Sequence, residues 1–276
     1  MLFISSSCIK SENIFDIINQ LKTFTKNIEL SGGTKIEENI LENLIKIKKE
    51  KNINFLLHNY FPPPKKDFVL NFADTSIKTR DFIKSSVDYI KSLGISYYSV
   101  HAGFKKNYDI DNEILINGKS SFDQSNIFEN IDWFYEFFNI KLALENLYPN
   151  NRNDTCFMSH IDEIVEFLEK DKRIFLLLDL GHLKISAMYY KFDYMEAINI
   201  LFSRYANRIL EIHLSENNGI EDSHNIIEKD SIQYKILEKF KDKIINHNIN
   251  LVIEVRGYEL HKLKKCYCLI NKLIGE

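Results

Sequence analysis

Cysteine is scarce in this chain: four among 276 residues, at Cys8, Cys156, Cys266 and Cys268, with no CxxC spacing. That excludes the disulfide framework of a small secreted scaffold, and reduced thiols in a cytoplasmic protein are the expectation. An excess of one charge is also missing. The 36 basic and 39 acidic residues are spread along the chain and leave a net charge of -3, so there is no basic tail to mark a nucleic-acid binder. The first residues, Met-Leu-Phe-Ile-Ser-Ser-Ser-Cys, lack a basic segment followed by a long apolar one, and no apolar stretch approaches the roughly 18 residues of a membrane span. Neither export nor a membrane partner is expected. No Gly/Ser linker or low-complexity tract divides the chain, so residues 1–276 are read as one domain.

What the chain does have is a cadence. Seven apolar runs close on or beside an acid or a histidine, giving Glu29, His58, His101, Glu145, Asp179, His213 and Glu254 at spacings of about 30 to 45 residues. Runs such as Phe175-Leu-Leu-Leu178 and Leu251-Val-Ile253 are continuous Ile/Leu/Val/Phe, as strands buried on both faces must be. Between them the apolar residues recur with helical period, predicting helices over 11–24, 35–49, 76–93, 123–139, 159–170, 192–206, 231–247 and 259–274. With residues 2–5 as a first strand, the reading is eight strands and eight helices: an α/β chain folded as a single (β/α)8 TIM barrel. Turn-rich insertions at 59–75, 103–121, 146–157 and 215–230 follow polar-ended strands, where a barrel builds its site.

Glu145, Asp179, His213 and Glu254 end the last four strands, and barrel closure brings them to one mouth. Each acid alone could cap its strand and meet solvent or a lysine. Four in successive strands outweigh that reading, because carboxylates packed together without a cation are forced to take up protons. Oxygen donors with one nitrogen suit Mn²⁺, Mg²⁺ or Co²⁺, and further histidines tilt the choice toward Zn²⁺.

At this point the chain resembles the xylose-isomerase-like TIM barrels, which include sugar isomerases and epimerases and the endonuclease IV group. The resemblance rests on Leu57-His-Asn-Tyr60, Leu70-Asn-Phe-Ala73, Val100-His-Ala-Gly103, Leu144-Glu-Asn146, Asp179-Leu-Gly-His182, His213-Leu-Ser-Glu-Asn217 and Ile253-Glu254. It implies that Glu145, Asp179, His213 and Glu254 are metal ligands. In the epimerase branch Glu145 and Glu254 are also the acid and base, acting through an enediolate on opposite faces of a ketose. It further implies that His182, Ser215 and Asn217 contact substrate. In the endonuclease IV branch His58, His101, His182, Asp222 and His224 are extra ligands, so that up to three zinc ions are held, with Glu145 shared between two of them.

The leading expectation is a divalent-metal-dependent sugar or sugar-phosphate isomerase or epimerase with one ion. A zinc phosphodiesterase acting on an abasic site or small phosphodiester is the alternative, and a barrel that binds without turnover comes third. The loops after Glu145 and His58 depart from the endonuclease pattern, which makes nucleic acid the less favoured partner; a homo-oligomer stays open. Asn59 and Tyr60, beside His58, are placed to touch substrate. Glu29 is read as an anchor for the Ser31-Gly-Gly turn, Arg256 as a partner of a neighbouring carboxylate, His160, His247 and His261 as incidental helix residues, and Lys65-Lys66 and Lys105-Lys106 as solvated pairs.

Overall fold

The computed structural model describes residues 1–64, 68–106, 121–149 and 155–275. The apolar runs form eight parallel strands: β1 (Leu2–Ser5), β2 (Asn27–Leu30), β3 (Asn54–Leu57), β4 (Tyr97–His101), β5 (Lys141–Glu145), β6 (Ile174–Asp179), β7 (Ile209–Leu214) and β8 (Asn250–Ile253). They are hydrogen-bonded in the order β3-β2-β1-β8-β7-β6-β5-β4. The seam between β3 and β4 is bridged at His58 and Ser99, where Asn59 N donates to Ser99 O over 2.9 Å and Ser99 Oγ donates to Leu57 O over 3.2 Å. The chain is thus a nearly closed (β/α)8 barrel.

Register decides where the polar strand ends meet. His101 lies across from Glu145 and Asp179 across from His213, and just past β8 Glu254 N donates to Leu214 O over 3.0 Å. Side chains alternate along a strand, so Glu211 and His213 share the inner face of β7 while Ile212 and Leu214 turn to the helices.

Nine α-helices surround the strands among the described residues: α1 (Ile14–Leu21), α2 (Ile40–Lys51), α3 (Ile77–Leu93), α4 (Gln124–Phe137), α5 (Ile161–Lys170), α6 (Leu180–Tyr190), α7 (Tyr194–Tyr205), α8 (Ile232–Asn246) and α9 (Leu260–Ile274). Eight coincide with the predicted segments, with ends shifted by a few residues. Their starts are capped by side chains that accept free N–H groups: Asn13 from Phe15 and Asp16, Ser76 from Thr79, Asp193 from Glu196, Ser231 from Tyr234, and Asp123 in a capping box with Asn126.

Helix α6 corrects the expected count of eight. Seven of its 11 residues are buried, so it has no polar face to produce a helical period in the sequence. It begins directly on the acid that ends β6: Asp179 Oδ1 accepts from His182 N over 2.7 Å. One residue therefore ends a strand, caps a helix and points a second carboxylate oxygen at the barrel mouth.

The apolar core fills the layer between strands and helices, where Phe134, Phe167 and Phe202 are fully buried and Phe202 stacks on Phe240 with ring centroids 4.3 Å apart. Burying such a side chain contributes about 1.5–3 kcal/mol. The loop after β3 is tied to the one after β4 by Asn71, whose Oδ1 accepts from Phe104 N over 2.8 Å and whose Nδ2 donates to Phe104 O over 3.0 Å. Gly103, at φ +108°, permits this approach, since a Cβ there would sit 2.5 Å from Asn71 Oδ1.

Candidate metal centre

The strand ends assemble into linked donor groups. Glu145 stands between two of them: its Oε2 is 3.2 Å from His58 Nε2 and 3.3 Å from His101 Nε2, and its Oε1 is 3.1 Å from His182 Nδ1. Asp179, His213 and Glu254 make the next group, with Glu254 Oε2 3.3 Å and Asp179 Oδ2 4.0 Å from His213 Nδ1. Beside them, Asp222 Oδ2 lies 2.8 Å from His224 Nε2 and 3.5 Å from His182 Nε2. Backbone carbonyls orient both of these imidazoles. A carbonyl only accepts, so Nδ1 of His182 donates to Asn146 O over 3.0 Å and Nδ1 of His224 to Glu254 O over 2.7 Å, which turns each Nε2 toward Asp222.

These neighbours set the charges. Burial pushes the Glu145 carboxyl up, but His101 and His58 outweigh it and hold the group at about 2. Burial pushes His58 down to about 4. Asp179 goes the other way, raised to about 6 by burial, with Glu145 and Asp222 adding to the rise and His182 opposing it. His213 is buried too, yet Glu29 foremost, with Glu211 and Glu254, lifts it well above the ordinary imidazole value.

The residues fit a divalent cation. Glu145 Oε2, Asp179 Oδ2, His213 Nδ1 and Asp222 Oδ1 are buried and make no hydrogen bond. Leaving one such atom unsatisfied costs about 1–3 kcal/mol, so several of them among neighbouring acids and imidazoles call for an electrophile. Three groups could supply ligand atoms: His58 with His101 and Glu145; Glu145 with Asp179 and His182; and Asp179 with His213 and Glu254. Glu29 with His58 and His213 makes a further combination deeper in the barrel.

A cavity of about 1080 Å³ opens above these groups. Glu145, Glu254, His58, His101, His182, Asp222 and His224 line it, whereas Asp179 and His213 lie beneath. Asn59 and Tyr60 also line it, the Asn59 amide lying 3.1 Å from His101 Nδ1 and the Tyr60 hydroxyl accepting from Leu70 N over 3.0 Å. Ser215 and Asn217 are not among its walls. Asn217 donates to Gly181 O over 2.9 Å and accepts from Gly219 N over 2.9 Å, while Ser215 O accepts from Gln233 Nε2, so this pair braces the loop after β7 against α6 and α8.

Other placements follow the chemistry of each side chain. His224 is buried, and Arg256 pairs with Glu254 Oε1 at 3.1 Å, sharing that oxygen with Ser7 Oγ at 3.2 Å. His160 caps α5 and His247 ends α8, so both flank their helices, and His261 pairs with Glu259 on the surface. Lys65 and Lys66 lie outside the described residues. Glu29 does not anchor the turn: it is fully buried and meets His213 Nε2 at 3.1 Å. Sequence reasoning passed over Glu211, also buried and 2.8 Å from the same nitrogen, and Asn146, whose side chain accepts from Asp179 N over 2.8 Å and donates to Asp179 O over 3.0 Å. The signal for Glu211 was its place two residues before His213, on the same face of an otherwise apolar strand.

No curated protein sequence matches the chain. Among solved structures it is similar to a D-tagatose 3-epimerase-like protein at TM-score 0.71 and 17% identity, covering 99% of this chain and 97% of that one. The IOLI protein with a bound zinc atom aligns at TM-score 0.65 and 15% identity over 99% and 95% of the two chains. Endonuclease IV from Thermus thermophilus aligns at TM-score 0.59 and 10% identity over 98% and 99%. Among the described residues no helix is long and apolar enough to cross a membrane. Residues 21–262 match the sequence pattern of the xylose isomerase-like TIM barrels, and with the barrel and its polar mouth in place the chain belongs to that family.

Proposed function

We propose that this chain is a divalent-metal-dependent enzyme that isomerises or epimerises a sugar or sugar phosphate by moving a proton at a carbon next to a carbonyl. One observation carries the reading. Of Glu145, Asp179, His213 and Glu254, the two glutamates line the cavity and the other two do not. A ligand set with only holding work has no need for that division, whereas proton transfer requires carboxylates that reach the substrate. At about 1080 Å³ the cavity has room for a sugar or sugar phosphate, since ligand pockets run to about 300–1,000 Å³.

A bound cation would supply Lewis acidity, making the C–H beside a coordinated carbonyl easier to ionise. One glutamate takes that proton and the other returns one, on the opposite face for epimerisation or at the neighbouring carbon for isomerisation. Arg256 and Ser7 hold Glu254 in place, and Asn59 and Tyr60 shape the wall near His101. Five imidazoles in the cluster favour Zn²⁺, Mn²⁺ or Co²⁺ over Mg²⁺.

Metal-loaded protein in deuterated water is expected to place deuterium at the carbon beside the carbonyl of at least one ketose or ketose phosphate, read by NMR or mass spectrometry. No exchange across a broad sugar panel at full metal loading contradicts the proposal. A hydrolytic reading is favoured by a separate observation, the bridging position of Glu145 together with the His182–Asp222–His224 group. Cleavage of a phosphodiester with about three zinc ions per chain is its expected signature.

A further inference from the structure

Directly beneath the mouth, Glu29, Glu211 and His213 are each 0% exposed. Glu211 Oε1 and Glu29 Oε2 lie 2.8 and 3.1 Å from the same atom, His213 Nε2. Behind Glu211, the Tyr97 hydroxyl donates to its Oε2 over 2.5 Å and is itself held by Asn250 Nδ2 over 3.0 Å. The site's four expected ligands do not require this arrangement. Burying a carboxylate costs several kcal/mol unless it is paired, and the register neighbours of Glu211 are the apolar Leu177 on β6 and the uncharged Asn250 on β8, so nothing at that level of the barrel demands a charge.

We infer that Glu211 and Glu29 form a clamp that fixes which nitrogen of His213 is offered to a metal ion, with Tyr97 positioning Glu211. The inference rests on the metal-centre reading given above. Glu211 Oε1, an acceptor 2.8 Å from Nε2, draws the ring hydrogen to that nitrogen, which leaves Nδ1, the atom without a hydrogen bond, facing Asp179 and Glu254. Turning the ring over would put Cε1 against both carboxylates and Cδ2 toward Asp179. A carboxylate on the far N–H also makes an imidazole a stronger donor, and such outer partners are typically worth 10–100-fold in metal affinity. The second carboxylate gives the clamp redundancy. Glu29, Glu211 and Tyr97 are thus positioning residues acting through His213.

The test is Zn²⁺ affinity, measured by competition with a chelating indicator, on the full chain and on Glu29→Gln, Glu211→Gln, the double variant and Tyr97→Phe. Glu211→Gln is expected to weaken binding about 10-fold and the double variant about 100-fold, while Tyr97→Phe, which keeps the ring, weakens it a few-fold. In long-range ¹H–¹⁵N spectra of zinc-loaded wild type, His213 should carry hydrogen on Nε2 and metal on Nδ1, and the double variant should lose that signature. If the double variant fails to fold, the single variants and Tyr97→Phe decide. Affinities within about twofold of wild type in folded variants, with the His213 signature retained, overturn the clamp while leaving the metal centre standing. A wild-type chain that binds no zinc overturns both.

Discussion

Glu254→Gln should cut solvent-proton exchange by about 10²–10⁴-fold, the range that a positioned acid or base contributes. The substitution preserves size and removes the group's ability to accept a proton. Because Glu254 also belongs to the metal donor set, loss of exchange alone would not separate chemistry from lost metal. The separation comes from Asp179→Asn, which changes a donor that is not among the residues lining the cavity. At saturating metal, Glu254→Gln is expected to bind the ion and the sugar yet remain inactive, and Asp179→Asn to regain much of its rate as metal is raised. Glu145→Gln should resemble Glu254→Gln. Exchange within about tenfold of wild type in both glutamate variants, at matched metal content, would remove them from the acid and base roles.

The second large effect is thermal. The cluster buries several acids and imidazoles, paired in part with one another, and four of its polar atoms have no hydrogen bond. A cation bound only by the folded state stabilises by about 2.7 kcal/mol at 100 times its dissociation constant and about 4.1 kcal/mol at 1,000 times. For a chain near this size each kcal/mol moves the midpoint by roughly 2–4 °C, so chelation should lower Tm by about 5–15 °C. Asp179→Asn should blunt that response. A scan of metal-loaded and chelated protein checks both statements, and equal midpoints would count against a resident ion.

The fold was legible because burial on both faces writes strands as unbroken apolar runs, and because those runs closed on polar residues at one end. Glu145, Asp179, His213 and Glu254 were singled out for that reason, and the parallel register does bring their strand ends to one level. Helix α6 left no trace, since seven of its 11 residues are buried and its few exposed ones, such as Met188 and Tyr189, gather at its end rather than recurring with helical period. Glu211 was missed for a related cause. Attention to the last residue of each run passes over an inward residue two places earlier, although strand alternation puts both on one face. Glu29 was placed in the cadence but assigned to its turn, because only the folded barrel shows that β2 and β7 face each other across the interior at His213. Ser215 and Asn217 came from a motif's likeness alone, and the structure gives the Asn217 amide to Gly181 O and Gly219 N, which likeness does not reveal.

The central claim is that the barrel mouth holds a divalent cation among Glu145, Asp179, His213 and Glu254. Anomalous diffraction from crystals of the zinc- or manganese-loaded chain tests it most directly. The account predicts a peak within bonding distance of Asp179, His213 Nδ1 and Glu254, with any further peaks at His58–His101–Glu145 or His182–Asp222–His224 reporting how many ions the site takes. A fully loaded crystal without a peak among those residues would contradict it.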